Sequence, residues 1–150
     1  MDKKEFILTN SFGYHFNFIS TNMKRYFDMQ LKQLDVTVLQ FGVLINLYRN
    51  NITTQKELIK YISGDEASIT RLINRLEAKN LLLRVADKND KRKKQLQLTS
   101  EGIELIEKLI PMAEAANKEL VQELSEKEQK ELLRLLQKVN ITLDGWLDTI

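Results

Sequence analysis

Apolar residues return at intervals of three and four along most of this chain, the period of helices with one buried face. The rhythm shortens only between residues 81 and 98. There Leu81-Leu82-Leu83-Arg84-Val85 and Leu96-Gln97-Leu98 read as two short strands. From Phe6 to about Leu34 the pattern predicts one long helix, with Phe12, Phe16, Ile19, Met23 and Phe27 spaced along it. Gly13 costs such a helix about 1 kcal/mol relative to Ala, which points to close packing at that turn. Thr37-Val38-Leu39-Gln40 has the form of a capping box, with Val36 and Phe41 placed as its hydrophobic staple. A second helix is therefore expected from about Val38 to Arg49, with Phe41, Leu44, Ile45 and Tyr48 inward. Asn50-Asn51 should end it, since Asn tolerates the left-handed exit conformation.

Thr54-Gln55-Lys56-Glu57 is another capping box and predicts a short helix from Gln55 to about Ile62. Ser63-Gly64-Asp65 is the following turn, where Gly64 can supply a positive φ. The next helix places Ile69, Leu72, Ile73 and Leu76 on one stripe, with Ala67, Thr70, Arg71 and Asn74 pointing away. Asn80 ends it. The segment Asp87 to Gln95 is too charged to bury and should project as a loop between the strands. Thr99 is a good N-cap for a helix from about Glu101 to Leu124, which carries Ile103, Ile106, Ile110, Ala113 and Leu120. Pro111 predicts a kink near Lys108. Ser125-Glu126-Lys127-Glu128 caps the last helix, which bears Leu132, Leu135, Leu136, Val139, Leu143, Trp146, Leu147 and Ile150. That many large apolar groups on an end helix suggest a dimer interface made with the first helix.

Composition adds mainly exclusions. The 150 residues fit one domain able to bury roughly 68–70% of its unfolded surface. The absence of Cys removes disulfides, thiolate metal sites and a cysteine switch. It fits a reducing cytoplasm. Met1 to Glu5 lacks a signal-peptide core, and no apolar run approaches the roughly 18 residues of a membrane span. The net charge of +2 conceals an uneven distribution. Residues 51–100 hold 11 Lys and Arg against 6 Asp and Glu, whereas residues 101–150 hold 6 against 11. A basic middle third is the footprint expected where phosphates bind.

Two short helices joined by a Gly-containing turn form a helix-turn-helix unit. An outward face of small, hydroxyl and Arg residues suits a major groove, and a basic hairpin suits its flanking phosphates. Lys91 to Lys94 taken alone would be a solvated hairpin tip. Their position directly after a candidate recognition helix favours DNA contact. Arg71 is the natural reader of a guanine O6 and N7 edge. An enzyme is not expected: there is one His, no phosphate-cradling Gly loop, and no identifiable pairing of nucleophile and base. Nothing in the sequence calls for a cofactor, and a lone His without Cys makes a poor zinc site.

In order and spacing, Thr54-Gln55-Lys56-Glu57-Leu58, Ser68-Ile69-Thr70-Arg71-Leu72, Arg75-Leu76-Glu77, Asp90-Lys91-Arg92 and Leu96-Gln97-Leu98-Thr99-Ser100-Glu101-Gly102 resemble MarR-type transcriptional regulators. The resemblance covers nearly the whole chain. It implies a mainly α fold with a small β wing, that is, a winged helix-turn-helix at about residues 36–100. Residues of about 1–34 and 101–150 would form a helical dimerisation region within the same single domain. It also implies a homodimer on a pseudo-palindromic operator, usually a repressor released by a small ligand. Carried over by position, Ser68, Thr70, Arg71, Asn74 and Arg75 would lie on the recognition helix, with Thr54 and Gln55 at a phosphate. Arg92 would be the wing arginine of the minor groove, oriented by Asp90, and Lys91, Lys93 and Lys94 would contact phosphates. The family usually has Gly where this chain has Asn80, and often Arg where it has Lys91. Lys keeps the charge without the planar fork.

Two questions stay open at this level. The aromatic cluster of the first helix is either core and dimer contact or one wall of a pocket for an aromatic acid, with Phe12, His15 and Phe16 in the lining. A winged helix can also serve as a protein-binding adaptor. An adaptor would be expected to lose the outward Arg and the basic wing, and both are present here.

Overall fold

The computed structural model describes residues 7–50, 52–62 and 64–147, with side chains described as far as residue 144. The described residues form six α-helices and one two-stranded antiparallel sheet. These are α1 (Phe12–Leu31), α2 (Val38–Arg49), α3 (Gln55–Leu58), α4 (Glu66–Ala78), β1 (Leu82–Ala86), β2 (Lys94–Leu98), α5 (Ser100–Leu120) and α6 (Glu126–Leu147). The mainly helical fold with a β wing is the one the sequence predicted. The chain divides into two compact units, Met1–Ala113 and Glu114–Ile150, and the division falls within α5.

The first unit holds one core. Leu31, Val43, Leu44, Leu58, Ile69, Ile73, Leu76, Ile106 and Leu109 lose all contact with solvent. Leu72, Leu82 and Leu96 join them. The four residues assigned to the inner stripe of α4 are the four it buries. α2 departs from the expected pattern. Gln40, Val43, Leu44 and Asn46 are its buried residues, while Phe41, Ile45 and Tyr48 are half-buried. The helix is packed nearly all round, so a single inward stripe underestimates it. Its buried polar groups are satisfied: Asn46 Nδ2 donates to the Gly42 carbonyl at 2.8 Å, and Gln40 Oε1 accepts from the Thr37 amide at 3.1 Å. The Phe27 and Phe41 rings meet edge to face at 5.5 Å, joining α1 to α2.

The helix ends follow local chemistry. Reciprocal capping boxes form at Thr37 with Gln40 and at Thr54 with Glu57. In the second unit, Ser125 and Glu128 do the same at the start of α6. The long first helix is interrupted. Ser11 is extended (φ −89°, ψ 121°), its side chain accepts from the Tyr14 amide, and a separate 3-10 turn at Leu8–Asn10 precedes it. A hydroxyl cap thus starts α1 at Phe12 rather than at Phe6, which itself lies outside the described residues. Gly13 then sits in the first turn, where among the described residues an added Cβ would meet only Ser11 Oγ at 3.8 Å, an ordinary contact. α3 is one turn shorter than expected. Lys60 and Tyr61 donate to the Glu57 and Leu58 carbonyls three residues back, which tightens the chain after Leu58. Gly64 takes the positive φ expected of it, at 138°, while Ser63 and Asn51 lie outside the described residues. Asn50 ends α2 without a left-handed turn, at φ −102°, and bonds back to Asn46 through both backbone and side chain. The left-handed exits are Asp35 (φ 53°) and Asn80 (φ 54°). α5 runs unbroken through Pro111 and ends at Leu120 rather than Leu124.

Asn80 closes α4 with paired bonds, from its own amide to Glu77 O and from the Leu81 amide to Leu76 O. Thr99 then ties this exit to the start of α5. Its hydroxyl donates to Asn80 O at 2.7 Å and accepts from the Gly102 amide at 3.0 Å. β1 and β2 pair with Leu82 opposite Leu98 and Ala86 opposite Lys94. Lys94 and Gln95, expected in the loop, therefore belong to β2 because they complete the ladder. The Leu96 amide also donates to Thr53 O at 2.7 Å, which fixes the segment entering α3 beside the sheet.

The capping carboxylates confer a pH dependence. Hydrogen bonds from Thr54 lower the Glu57 pKa, those from Ser68 lower Asp65, and those from Ser125 lower Glu128. Each folded pKa lies below its unfolded value. The contribution is therefore complete above the unfolded pKa and is lost as pH falls through the folded one. The Tm is expected to be flat above about pH 6 and to fall between about pH 5 and 3. The variant E57Q/E128Q should flatten part of that slope. A Tm that rose on acidification would contradict the assignment.

Candidate nucleic-acid interface

α4 separates its residues by face. Its inner stripe is sealed in the core, and Arg71, Asn74 and Arg75 stand in solvent. Asp65 caps the helix, its Oδ1 accepting from the Ser68 amide at 2.7 Å. Ser68 and Thr70 are only half exposed. Arg71 bends back so that a guanidinium nitrogen donates to Ser68 Oγ at 2.9 Å. Thr70 is more committed than an outward residue should be. Its hydroxyl donates to Glu66 O at 2.8 Å and accepts from Gln55 Nε2 at 2.6 Å. Two residues assigned separately to bases and phosphate are thus joined to each other, because α3 packs against the flank of α4.

Thr54 is likewise engaged. Its hydroxyl donates to Glu57 Oε2 at 2.8 Å, and the same carboxylate accepts from the Thr53 and Thr54 amides. Thr54, expected to meet a phosphate, thus already engages an anion of the chain's own.

The hairpin between the strands is organised by Asp87, which sequence reasoning left in the loop without a role. Asp87 Oδ1 accepts from the Asn89 and Asp90 amides at 2.8 and 3.0 Å, and Oδ2 accepts from Gln95 Nε2. The Asn89 amide is the main cause of its lowered pKa. Asp90 Oδ1 accepts from the Arg92 amide at 3.1 Å, and its other oxygen lies 3.9 Å from Lys93 Nζ. Asp90 thus meets the backbone of Arg92 rather than the guanidinium it was expected to orient. Lys91, Arg92, Lys93 and Lys94 are all exposed. The hairpin tip is a cationic surface.

Arg84 is the second residue that sequence reasoning passed over. A cation inside the run Leu81–Val85 was the available signal. On β1, its guanidinium pairs with Glu77 Oε2 and donates to Asn74 Oδ1 at 2.7 Å, while its amide donates to Glu77 Oε1 at 3.2 Å. The strand is thereby fastened to the outer face of α4.

Phe12, His15 and Phe16, expected to line a pocket, are exposed on α1, Phe12 to 81%. His15 Nε2 lies 2.7 Å from Thr9 O. A cleft of about 720 Å³ lies elsewhere, lined by Asp28, Lys32, Asp35, Val36, Thr37, Gln40, Arg75, Ala78 and Lys79. None of its described lining residues is aromatic. No helix of the described residues is long and apolar enough to cross a membrane.

Comparison with known proteins bears on this arrangement. Residues 36–94 match the model of the MarR family. The HTH-type transcriptional repressor NicR of Pseudomonas putida is 32% identical over 113 residues, 75% of this chain and 72% of that protein. S. aureus MepR, solved in complex with DNA, superposes with a TM-score of 0.78 at 31% identity, over 88% of this chain and 98% of MepR. Bordetella bronchiseptica BpsR, whose DNA binding is regulated by 6-hydroxynicotinic acid, superposes with a TM-score of 0.82 at 25% identity, over 91% and 97%.

Proposed function

This chain belongs to the MarR family of transcriptional regulators, and from that premise we propose that it is a homodimeric repressor of a pseudo-palindromic operator, released by a small ligand. The observation that carries the reading is the division of α4. Four apolar side chains anchor one face, and Arg71, Asn74 and Arg75 are exposed on the other. Arg71 is the principal base reader, taking guanine O6 and N7. Lys91, Lys93 and Lys94 add affinity through phosphates, and Arg92 enters the minor groove. Ser68, Thr70, Gln55 and Thr54 support this surface from their internal hydrogen bonds, and Asp90 sets the path of the wing backbone.

Exposed apolar groups on α6 (Leu132, Leu135, Val139 and Leu143) and on α1 (Phe12, Phe16, Phe18 and Ile19) support self-association. The whole chain would act as one domain, pairing through its two helical ends and holding two recognition helices about 10 bp apart. Phe12, His15 and Phe16 would line a pocket only once a second copy covered α1. BpsR responds to an aromatic acid, and a ligand of that class would release this protein by favouring the spacing that DNA disfavours. A DNA partner carries a cytoplasmic location with it.

The test is selection from a random duplex pool at two salt concentrations, using the protein and two variants. The unaltered protein should enrich a palindrome with half-sites near 10 bp apart. R71A should lose about 10- to 100-fold of its discrimination between that operator and random DNA. K93A should weaken both alike and reduce the salt slope by about one. Retention without any enriched sequence would rule out a sequence-specific reader.

A further inference from the structure

The contact between Arg84 and Asn74 has a chemical direction. A guanidinium carries only donors, whereas an amide side chain carries an acceptor on one side and donors on the other. The Asn74 atom 2.7 Å from the Arg84 guanidinium must therefore be the carbonyl oxygen. Arg84 is itself held by further partners. Glu77 holds its guanidinium with one carboxylate oxygen and its backbone amide with the other. The Arg84 backbone is also fixed opposite Leu96 in the sheet. Asn74 itself is exposed on the outer face of α4, one residue from Arg75 and three from Arg71. No protein group accepts from its Nδ2 among the described residues.

We propose that Arg84 is a positioning residue that fixes Asn74 as a hydrogen-bond donor toward DNA, so that Asn74 selects base edges that present acceptors and rejects cytosine. The proposal rests on the DNA-binding reading and assigns the chemistry of one contact within it. In the major groove guanine offers O6 and N7 as acceptors, thymine offers O4, and cytosine offers only its N4 donor. A donor facing a donor leaves both unpaired in a desolvated contact. The bidentate Asn–adenine pairing needs the amide oxygen as well as the nitrogen. Here a charged donor already engages that oxygen, so adenine should be read less well than guanine or thymine.

The test is selection from a random duplex pool, followed by titration of single-base variants of the enriched site, for the unaltered protein, R84M, R84K and N74D. Thermal unfolding of each verifies the fold, and Asn74 is exposed, so N74D should leave it intact. The unaltered protein should show one position per half-site where cytosine costs about tenfold in affinity. R84M frees the amide to turn over, so that cost should drop to twofold or less while other positions keep their preferences. R84K retains a donor-only partner and should retain the exclusion. N74D replaces the outward donor with an acceptor, so the same position should come to favour cytosine. A merely structural role for Arg84 would lower Tm and affinity for all sequences without changing the base spectrum. An unchanged spectrum in R84M, or an N74D variant that weakens every sequence equally, would overturn the proposal. Failure of the unaltered protein to enrich any site would instead overturn the DNA-binding reading beneath it.

Discussion

Replacing Gly102 by Ala is expected to destabilise the protein by about 3 kcal/mol or more, a large share of a typical total of about 5–15 kcal/mol. Helix propensity alone predicts the opposite, a gain of about 1 kcal/mol for Ala within α5. Space decides the sign. A Cβ at Gly102 would lie 1.9 Å from Leu81 O and 3.0 Å from Leu81 C. Both are backbone atoms, and Leu81 has no freedom to retreat. Its amide donates to Leu76 O, its carbonyl accepts from the Thr99 amide at 3.2 Å, and its side chain is buried. Urea denaturation followed by circular dichroism would measure the loss. An Ala variant as stable as its parent would show that the junction of α4, β1 and α5 gives way without cost.

The second large effect is expected from charging the exposed stripe of α6. At 3.6 residues per turn Leu132, Leu135, Leu136, Val139 and Leu143 fall within roughly 100° of arc, and all but the half-buried Leu136 are exposed, to between 37% and 45%. The double variant L135D/V139D should sediment as a monomer at micromolar concentration with its helical content unchanged. In the proposed dimer, separating the two readers would remove the tethering that makes the second half-site effectively intramolecular. Operator affinity should therefore fall by about 10²- to 10⁴-fold. A variant that remained dimeric would place the association surface elsewhere. Trp146, Leu147 and Ile150, read from the sequence as part of the same stripe, lie outside the residues whose side chains are described.

What could be read in the sequence was whatever depends on neighbours three or four residues away. The boxes at Thr37, Thr54 and Ser125 are local by construction, and so is the stripe of Ile69, Leu72, Ile73 and Leu76. The Asn80 exit needs only a residue that tolerates positive φ. Errors arose where a distant partner decided the outcome. α2 has an amphipathic sequence pattern, but core from both sides covers it. Lys94 and Gln95 have loop chemistry, yet β1 supplies their ladder partners. Gln55 and Thr70 have outward-facing spacings and find each other across the turn. The start of α1 was misplaced for a different reason. Ser11 competes with the helix for the local backbone, and the apolar rhythm passed over it without a break.

The candidate site divides along the same line. The exposure of Arg71, Arg75 and the cationic hairpin was legible because charge is written in residue type. The polar framework around them was not. Arg84 meets Asn74 and Glu77 only after β1 folds back along α4, and Gly102 was one letter of a family motif until Leu81 came to lie against it.

The Asp87 hairpin carries a consequence for the entropy of recognition. A basic loop of polar residues would ordinarily be ordered by its partner, and each residue fixed on docking would take about 1–2 kcal/mol from the affinity. Here one carboxylate gathers two backbone amides and the Gln95 side chain, and Asp90 gathers a third amide at Arg92. The ordering is completed during folding. On the proposed reading the wing would meet DNA as a template already set, so the attraction of its cations would appear in the binding constant largely undiminished.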